Sequence, residues 1–367
     1  MASPHHLLNT SWTSHRLSPL HHANKHGSLL EDAGALQTYA TRLRDHLTNS
    51  LADVQGWRAE DDTAGVSNIG ALNTCTWETI STLSFLNSRP EDESSQAVGI
   101  LITLSYENIT YKAALLADPS SSSAPPNRHQ KGKGKGKAKR STSTYLPLLL
   151  TRLPKALRES FIAFLSSNFD TYISSLRLSS RVLCDLLESY VERVTPSRSR
   201  TTRGDLIEDI IREMQLTLSF APPIAPSLRA LNVSIPRATF ASFLRTNSRS
   251  GAGGPGTGEE SVSGSVLSGL SAYLEKHLAM ELGLVGTPGS SSGVSFASGY
   301  VRLTRIACAG FVVTGEGRMK IVAKAVDGDS EGGEGEEGER NQGALRGGEA
   351  LVRAVIDRAA AGIEKVV

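Results

Sequence analysis

The sequence predicts an α+β protein, a mostly antiparallel sheet with flanking helices, arranged in two halves and interrupted by disordered insertions. Three observations carry this. Apolar residues recur at every second position in neighbouring segments, Leu216, Leu218 and Phe220 and then Leu231, Val233 and Ile235, as in strands packed on one face. Segments of helical period are grouped and do not alternate singly with strands, so no doubly wound βαβ pattern is present. Runs of Ser, Gly, Pro and charge at 118–144, 248–262 and 327–343 offer too little apolar surface to offset the entropy of ordering.

The elements follow in order. After an irregular start, Ser28 and Glu31 have capping-box spacing. They precede Leu36, Ala40, Leu43, Leu47 and Leu51, an apolar stripe that predicts a helix over about 29–51. Residues 53–66 read as loop. Segments at about 69–79 and 97–106 read as strands, and the unbroken apolar run AVGILITLSY in the latter fits burial on both faces. Pro154 suits a first helical turn, after which Phe161, Leu165, Phe169, Tyr172 and Leu176 mark one helix face. A second helix over 180–194 turns Leu183, Leu186 or Leu187, Tyr190 and Val194 inward.

The polar stretch 195–204, TPSRSRTTRG, divides the chain into an N-terminal half, 1–195, and a C-terminal half, 205–367. The second half opens with a short helix near 205–213 and the two alternating strands. Pro236 ends the second strand and starts a helix through Phe240 and Leu244. A helix over 263–283 leads to two strands, 299–313 and 318–324, turned by TGEG. Leu351, Val355, Ala359 and Ile363 at four-residue steps mark a terminal helix.

Composition narrows the function classes. The 39% apolar content is low for a globular chain, as the insertions require. Net charge is +2, so local patches matter more than the total. Cys75, Cys184 and Cys308 are far apart and odd in number, supporting neither a disulfide framework nor a zinc site. No basic-then-apolar leader and no 18-residue apolar run is present, so the expectation is a soluble intracellular protein.

A search for chemistry yields little. Gly251, Gly253 and Gly256 spell G-x-G-x-x-G, but no strand precedes them and Pro255 interrupts, which reads as a loop. The segment GKGKGKAKRS never completes a phosphate-binding loop. His5, His6, His15, His21, His22 and His26 fall in an irregular arm and read as surface or packing histidines, not as metal ligands. No nucleophile elbow, H-E-x-x-H or paired-carboxylate constellation is present. The expectation is no enzyme, no cofactor and no metal.

Two features suggest binding. Lys131, Lys133, Lys135, Lys137, Lys139 and Arg140 place six cations in ten residues, a candidate contact to nucleic-acid phosphates, a nuclear import signal or a solvated linker. Arg198, Arg200 and Arg203 form a smaller basic group. The second feature is the 299–324 strand pair, whose nearly continuous apolar run is either covered or an edge awaiting a partner strand. Its candidate partner-binding residues are Val301, Leu303, Ile306, Phe311, Val313, Met319 and Ile321.

Four blocks in order resemble the CENP-L family of inner-kinetochore subunits, in a fungal version. LNTSWTSHRLSPL, with Trp12, Leu17, Pro19 and Leu20, is similar to its opening. YLPLLLTRLPKALRESFIAFLSSNFDTYISSLRLSSRVL, with Leu146, Pro147, Leu148, Phe161, Phe169 and Tyr172, resembles its central helical region. LTLSFAPPIAPSLRALNVSIPRATFASFL resembles its paired strands and short helix. LEKHLAMELGL and YVRLTRIACAGFVVTGEGRMKIV resemble its last helix and hairpin, Gly317 to Ile321 matching the turn and strand. The insertions depart from the family pattern.

The resemblance implies a curved antiparallel sheet whose C-terminal part docks a CENP-N-like protein by strand pairing, and so favours the edge reading of 299–324. It also implies binding to a CENP-C-like protein and to centromeric DNA within the assembly, at the kinetochore of nuclear chromosomes.

Overall fold

The computed structural model describes residues 2–22, 29–55, 70–86, 97–118, 143–194, 207–220, 227–246, 266–278, 301–324 and 336–362. Two compact units divide the chain: Met1–Leu176 with Val355–Val367, and Arg177–Ala354. The class is α+β, with all named strands paired antiparallel.

The first unit holds β1 (Trp12–Leu17), β2 (Leu20–His21), β3 (Leu72–Ile80), β4 (Gly99–Tyr106), β5 (Thr110–Leu116), β6 (Ser143–Thr144), β7 (Leu148–Arg152) and β8 (Ile173–Ser175). Its sheet runs β8–β1–β7–β5–β4–β3, and β2 pairs separately with β6. The helices α1 (Ala33–Gln55) and α2 (Lys155–Phe169) share a core with one sheet face through Leu36, Leu43, Phe161, Phe164, Ile100, Ile102 and Leu149. The other face is buried too, at Leu101, Ala114, Leu148 and Leu150. The expectation for AVGILITLSY therefore holds, because β4 has no solvent face over its first four residues.

Three expectations are corrected here. The irregular start contains β1, which takes an interior place between β7 and β8. Its alternation is disguised by Ser14 and His15, which are buried, with His15 hydrogen-bonded through Nε2 to Thr151 Oγ1 at 3.3 Å. Helix α1 is capped by Asp32, whose Oδ1 accepts from the Ala35 amide at 2.9 Å; Ser28 lies outside the described residues. Tyr172 is not on a helix face. α2 stops at Asp170 in the left-handed conformation (φ 45°), leaving Tyr172 75% exposed. Its amide donates to Ser18 Oγ at 2.8 Å, and its carbonyl accepts from the Ser18 amide at 3.0 Å.

The second unit opens with α3 (Ser180–Val194), which buries Leu183, Leu186, Leu187, Tyr190 and Val194 as its period predicts. Residues 207–211 are helical. Then come β9 (Met214–Phe220), β10 (Ala230–Ile235), α4 (Arg237–Thr246), α5 (Val266–Leu278), β11 (Val301–Ala307), β12 (Phe311–Thr314) and β13 (Arg318–Ile321). Within this unit the strands are ordered β10–β9–β11–β12–β13.

The terminal helix α6 spans Glu336–Ala361, with its last turns assigned to the first unit. It begins inside the segment 327–343 that composition marks as an insertion. Its glycines serve close packing: a Cβ on Gly347 would stand 2.7 Å from Tyr190 Cε2 and 2.8 Å from Val194 Cγ2. None of the described helices is long and apolar enough to cross a membrane.

Candidate interaction surface

The second unit's sheet turns one side inward and one outward. Met214, Leu216 and Leu218 of β9, Val301, Leu303 and Ile306 of β11, Phe311 and Val313 of β12, and Met319 and Ile321 of β13 are all buried. These include all seven residues expected to bind a partner, so their side chains form the floor of the sheet. The expected strand 299–313 is two strands. The chain turns at Cys308–Gly310, where the Cys308 amide donates to the Phe311 carbonyl at 2.8 Å. β11 is flanked by β9 and β12, so it is an interior strand and not the free edge favoured above.

The outward side carries Gln215, Thr217 and Ser219 of β9, Ala230, Asn232 and Ser234 of β10, Arg302 and Arg305 of β11, and Arg318 and Lys320 of β13. Strands β9–β13 contain no Asp or Glu. This face therefore presents four cations among neutral hydroxyls and amides, with Ala230 and Val312 as apolar members. Arg302, Arg305 and Arg318 are exposed and Lys320 half-buried.

A bulge produces this arrangement. Arg302 and Arg305 are three apart, and in a regular strand that spacing puts them on opposite faces. Register with β9 slips between Leu303 and Arg305, so Thr304 is the extra residue and the alternation restarts. Arg305 is thereby aimed outward beside Arg302, while Ile306 returns to the core. The irregular backbone is satisfied locally. Ser180 Oγ accepts from the Leu303 amide at 3.1 Å, and Thr304 Oγ1 donates to the Thr217 carbonyl at 3.0 Å.

The free edge of this unit's described strands is β10, whose strand neighbour is β9. The Phe220 amide donates to the Arg229 carbonyl at 3.2 Å, and Arg229 stands opposite Phe220 by the β9–β10 register. Antiparallel pairs alternate between hydrogen-bonded and non-hydrogen-bonded. Residues 231, 233 and 235 therefore bond inward to β9, and Ala230, Asn232 and Ser234 direct their amides and carbonyls away from it. Asn232 Oδ1 accepts from Thr217 Oγ1 at 2.8 Å across the strands. Just beyond, Leu228 is 44% exposed.

The end of β10 is fixed by charge. Arg237, opening α4, pairs with Glu208 at 3.2 Å and Asp209 at 2.7 Å, and Arg340 of α6 reaches Asp209 at 2.8 Å. These pairs are partly exposed and individually modest.

Burial holds the three thiols in the protonated form. Burial pushes Cys75 and Cys184 up to about 12 and Cys308 to about 11, far from the thiolate range a nucleophile needs. Among the described residues no group of three or more His, Cys, Asp and Glu is placed to hold a metal. His15 and His22 are packing residues, bonded through Nε2 to the hydroxyls of Thr151 and Thr144. The run Lys131–Arg140, the group at Arg198–Arg203 and Gly251–Gly256 lie outside the described residues.

Sequence reasoning missed Arg302, Arg305, Arg318 and Lys320. The available signal was the absence of acids from five successive strands, together with the Arg-x-x-Arg spacing that marks the bulge.

Residues 6–360 match the sequence profile of a family described as CENP-L, Centromere protein L. No curated protein matches the chain.

Proposed function

The chain belongs to the CENP-L family, centromere proteins of the nucleus with a kinetochore role, and on that premise we propose that it is a structural subunit that pairs with a CENP-N-like protein. The pair then engages a CENP-C-like protein and other inner-kinetochore subunits, and shares contact with centromeric DNA. Chromosome segregation is served through interfaces, without catalysis.

The β10 edge is the observation that supports pairing. An unpaired strand with a row of outward amides and carbonyls is suited to adding a partner strand, since main-chain bonds supply affinity and alternate side chains supply specificity. Val301, Leu303, Ile306, Phe311, Val313, Met319 and Ile321 serve this interface from beneath, as the packed floor that holds the sheet in shape. Replacing them with polar residues tests folding as much as pairing. A proline at Asn232 is the cleaner probe: it removes an outward amide and leaves the main-chain bonds to β9 in place, as proline at sheet edges does, losing only the exposed side-chain bond to Thr217.

The test is co-expression with a CENP-N-like protein, followed by size-exclusion chromatography with light scattering. A 1:1 complex is expected, lost in Asn232→Pro, with the free variant's unfolding midpoint little changed. A complex that survives Asn232→Pro moves the interface elsewhere. No complex at all sinks the pairing reading.

A second reading, a stand-alone nucleic-acid module, rests on Arg302, Arg305, Arg318 and Lys320, with Lys131, Lys133, Lys135, Lys137, Lys139 and Arg140 as further phosphate contacts. It expects the isolated chain to bind duplex DNA with a logarithmic salt slope of about −3 to −4 from the four sheet cations alone.

A further inference from the structure

The second face of the first unit's sheet is covered over Leu101, Ala114 and Leu150 but opens to solvent one row further along. There the register sets Thr76 of β3, Thr103 of β4, Lys112 of β5 and Arg152 of β7 side by side across four strands. Thr76 and Arg152 are exposed, and Thr103 and Lys112 half-buried. Residues directly opposed in such a sheet have Cβ atoms about 5 Å apart. Lys112 and Arg152 are therefore two like charges set against each other, an arrangement that destabilises a sheet.

Neither cation forms an ion pair among the described residues. Burial, with Arg152 adding to it, pulls the Lys112 pKa below the ordinary lysine value. The Lys112 ammonium is held by a neutral group, donating to Nδ1 of His6 in the turn Pro4–Leu7 at 3.1 Å. An ammonium only donates, so the ring proton of His6 sits on Nε2. Burial and then Lys112 lower the His6 pKa, against the opposing pull of Glu78. His6 positions Lys112 without neutralising it.

We propose that Lys112 and Arg152, with the Thr103 hydroxyl beside Lys112 as a further donor, bind a single phosphoryl group carried on a serine or threonine of a partner protein. The charge identifies the ligand. A phosphate monoester carries close to two negative charges at neutral pH and three strong acceptor oxygens, which two cations about 5 Å apart match. The arginine fork engages two of those oxygens at once. A lone carboxylate would leave one cation unmatched. The patch is also bounded. The next row on one side is neutral, with Thr74, Ser105 and Thr110; on the other it holds Glu78 and the buried Leu101, Ala114 and Leu150. One dianion fits between these rows, whereas a track of nucleic-acid phosphates finds no further cation in either. The site shares no residue with the β10 edge or with Arg302, Arg305, Arg318 and Lys320.

The test probes the full-length chain with immobilised peptides, each carrying one phosphoserine or phosphothreonine in randomised flanks, and with the same peptides unphosphorylated. Binding to the phosphorylated set is expected to be about tenfold stronger, the factor that one charge-assisted hydrogen bond supplies. In Lys112→Gln/Arg152→Gln the ratio should fall to one. The unfolding midpoint of that variant should hold or rise, because the repulsion is gone. Arg152→Gln alone, at an exposed position, gives the same comparison where the double variant is unstable. Arg152→Lys keeps the charge but loses the fork and should fall between. A natural chain without preference for the phosphorylated set, or a double variant that keeps the preference, overturns the proposal. Protection of Lys112 from acylation by inorganic phosphate, without any phosphopeptide preference, marks a free-anion site and overturns it too. Loss of duplex-DNA binding in the double variant, with no phosphopeptide preference to lose, assigns the two cations to nucleic acid instead.

Discussion

In the first unit β4, β5 and β7 bury side chains on both faces, Ile100 and Ile102 on one and Leu101, Leu148 and Leu150 on the other. In the second, β9 and β11 bury one set of side chains and hold the rest toward solvent, and β10 half-buries Leu231 and Val233 and exposes Ala230, Asn232 and Ser234. The strands of the two units are of similar length and share the same antiparallel pairing. They differ in what their outward-facing positions are for. A sheet covered on both sides has spent its surface on its own core. A sheet with one polar, acid-free face and an unpaired edge retains both for something else. The contrast extends to polar groups: among the described residues the six buried polar side chains, Ser14, His15, His22, Thr144, Thr151 and Thr171, are all in the first unit.

The largest effect should come from treating the two sheets alike. Leu150→Asp places a carboxylate on the first unit's second buried face, at 1% exposure, and should cost more than about 4 kcal/mol or prevent folding. Trp12, Trp57 and Trp77, the three tryptophans of the chain, all fall in this unit, so their fluorescence in urea reads it selectively. Survival of a normal transition would mean that face is not dry.

A smaller effect separates the units by pH. Burial, with Arg158 adding to it, pushes His15 down to about 4. The unfolded chain therefore takes up this proton near pH 6.5 while the folded chain resists it until about 4. Stability of the first unit should fall as pH drops through that window, by on the order of 1–2 kcal/mol after allowance for partial solvent access. His15→Asn should flatten the slope. The second unit, followed by the reactivity of Cys184 and Cys308, should change less. If both units lose stability in parallel, the comparison fails.

The smallest effect is on the open face. Arg302→Asp, which reverses charge at an exposed position, should leave stability within about 0.5 kcal/mol while weakening binding to any polyanion.

Much of this contrast was legible beforehand. AVGILITLSY announced a strand without a solvent side, and the Leu216/Leu218 and Leu231/Val233/Ile235 alternations announced strands with one. α3 was readable because Leu183, Leu187, Tyr190 and Val194 repeat at helical intervals with few exceptions. β1 was not, because its inward positions include a serine and a histidine whose burial depends on Thr151, 136 residues away in sequence. Residues 299–313 looked like one strand because apolar content does not reveal a turn such as Cys308–Gly310. Tyr172 was misread because a helical stripe continues on paper past Asp170, where the backbone has already left the helix. The edge moved from 299–324 to β10 because strand order across a sheet is a property of the fold, not of any one segment.

The guanidinium of Arg16 in β1 donates from Nε to the Ala359 carbonyl at 2.9 Å and from Nη2 to the Arg358 carbonyl at 3.3 Å, capping the end of α6. These residues lie more than 340 positions apart, and both belong to the first unit, within which the whole of Arg177–Ala354 is inserted. On the ribosome the first-made unit is therefore the last to be completed. Arg16 waits through the synthesis of the entire second unit before its acceptors emerge, which at ordinary elongation rates takes roughly 20–70 s. The inserted unit has its own strands in hand earlier. For that interval the nascent chain carries a nearly complete apolar sheet lacking its final turns of helix, and a truncation shortly before Ala359 would make that transient condition permanent.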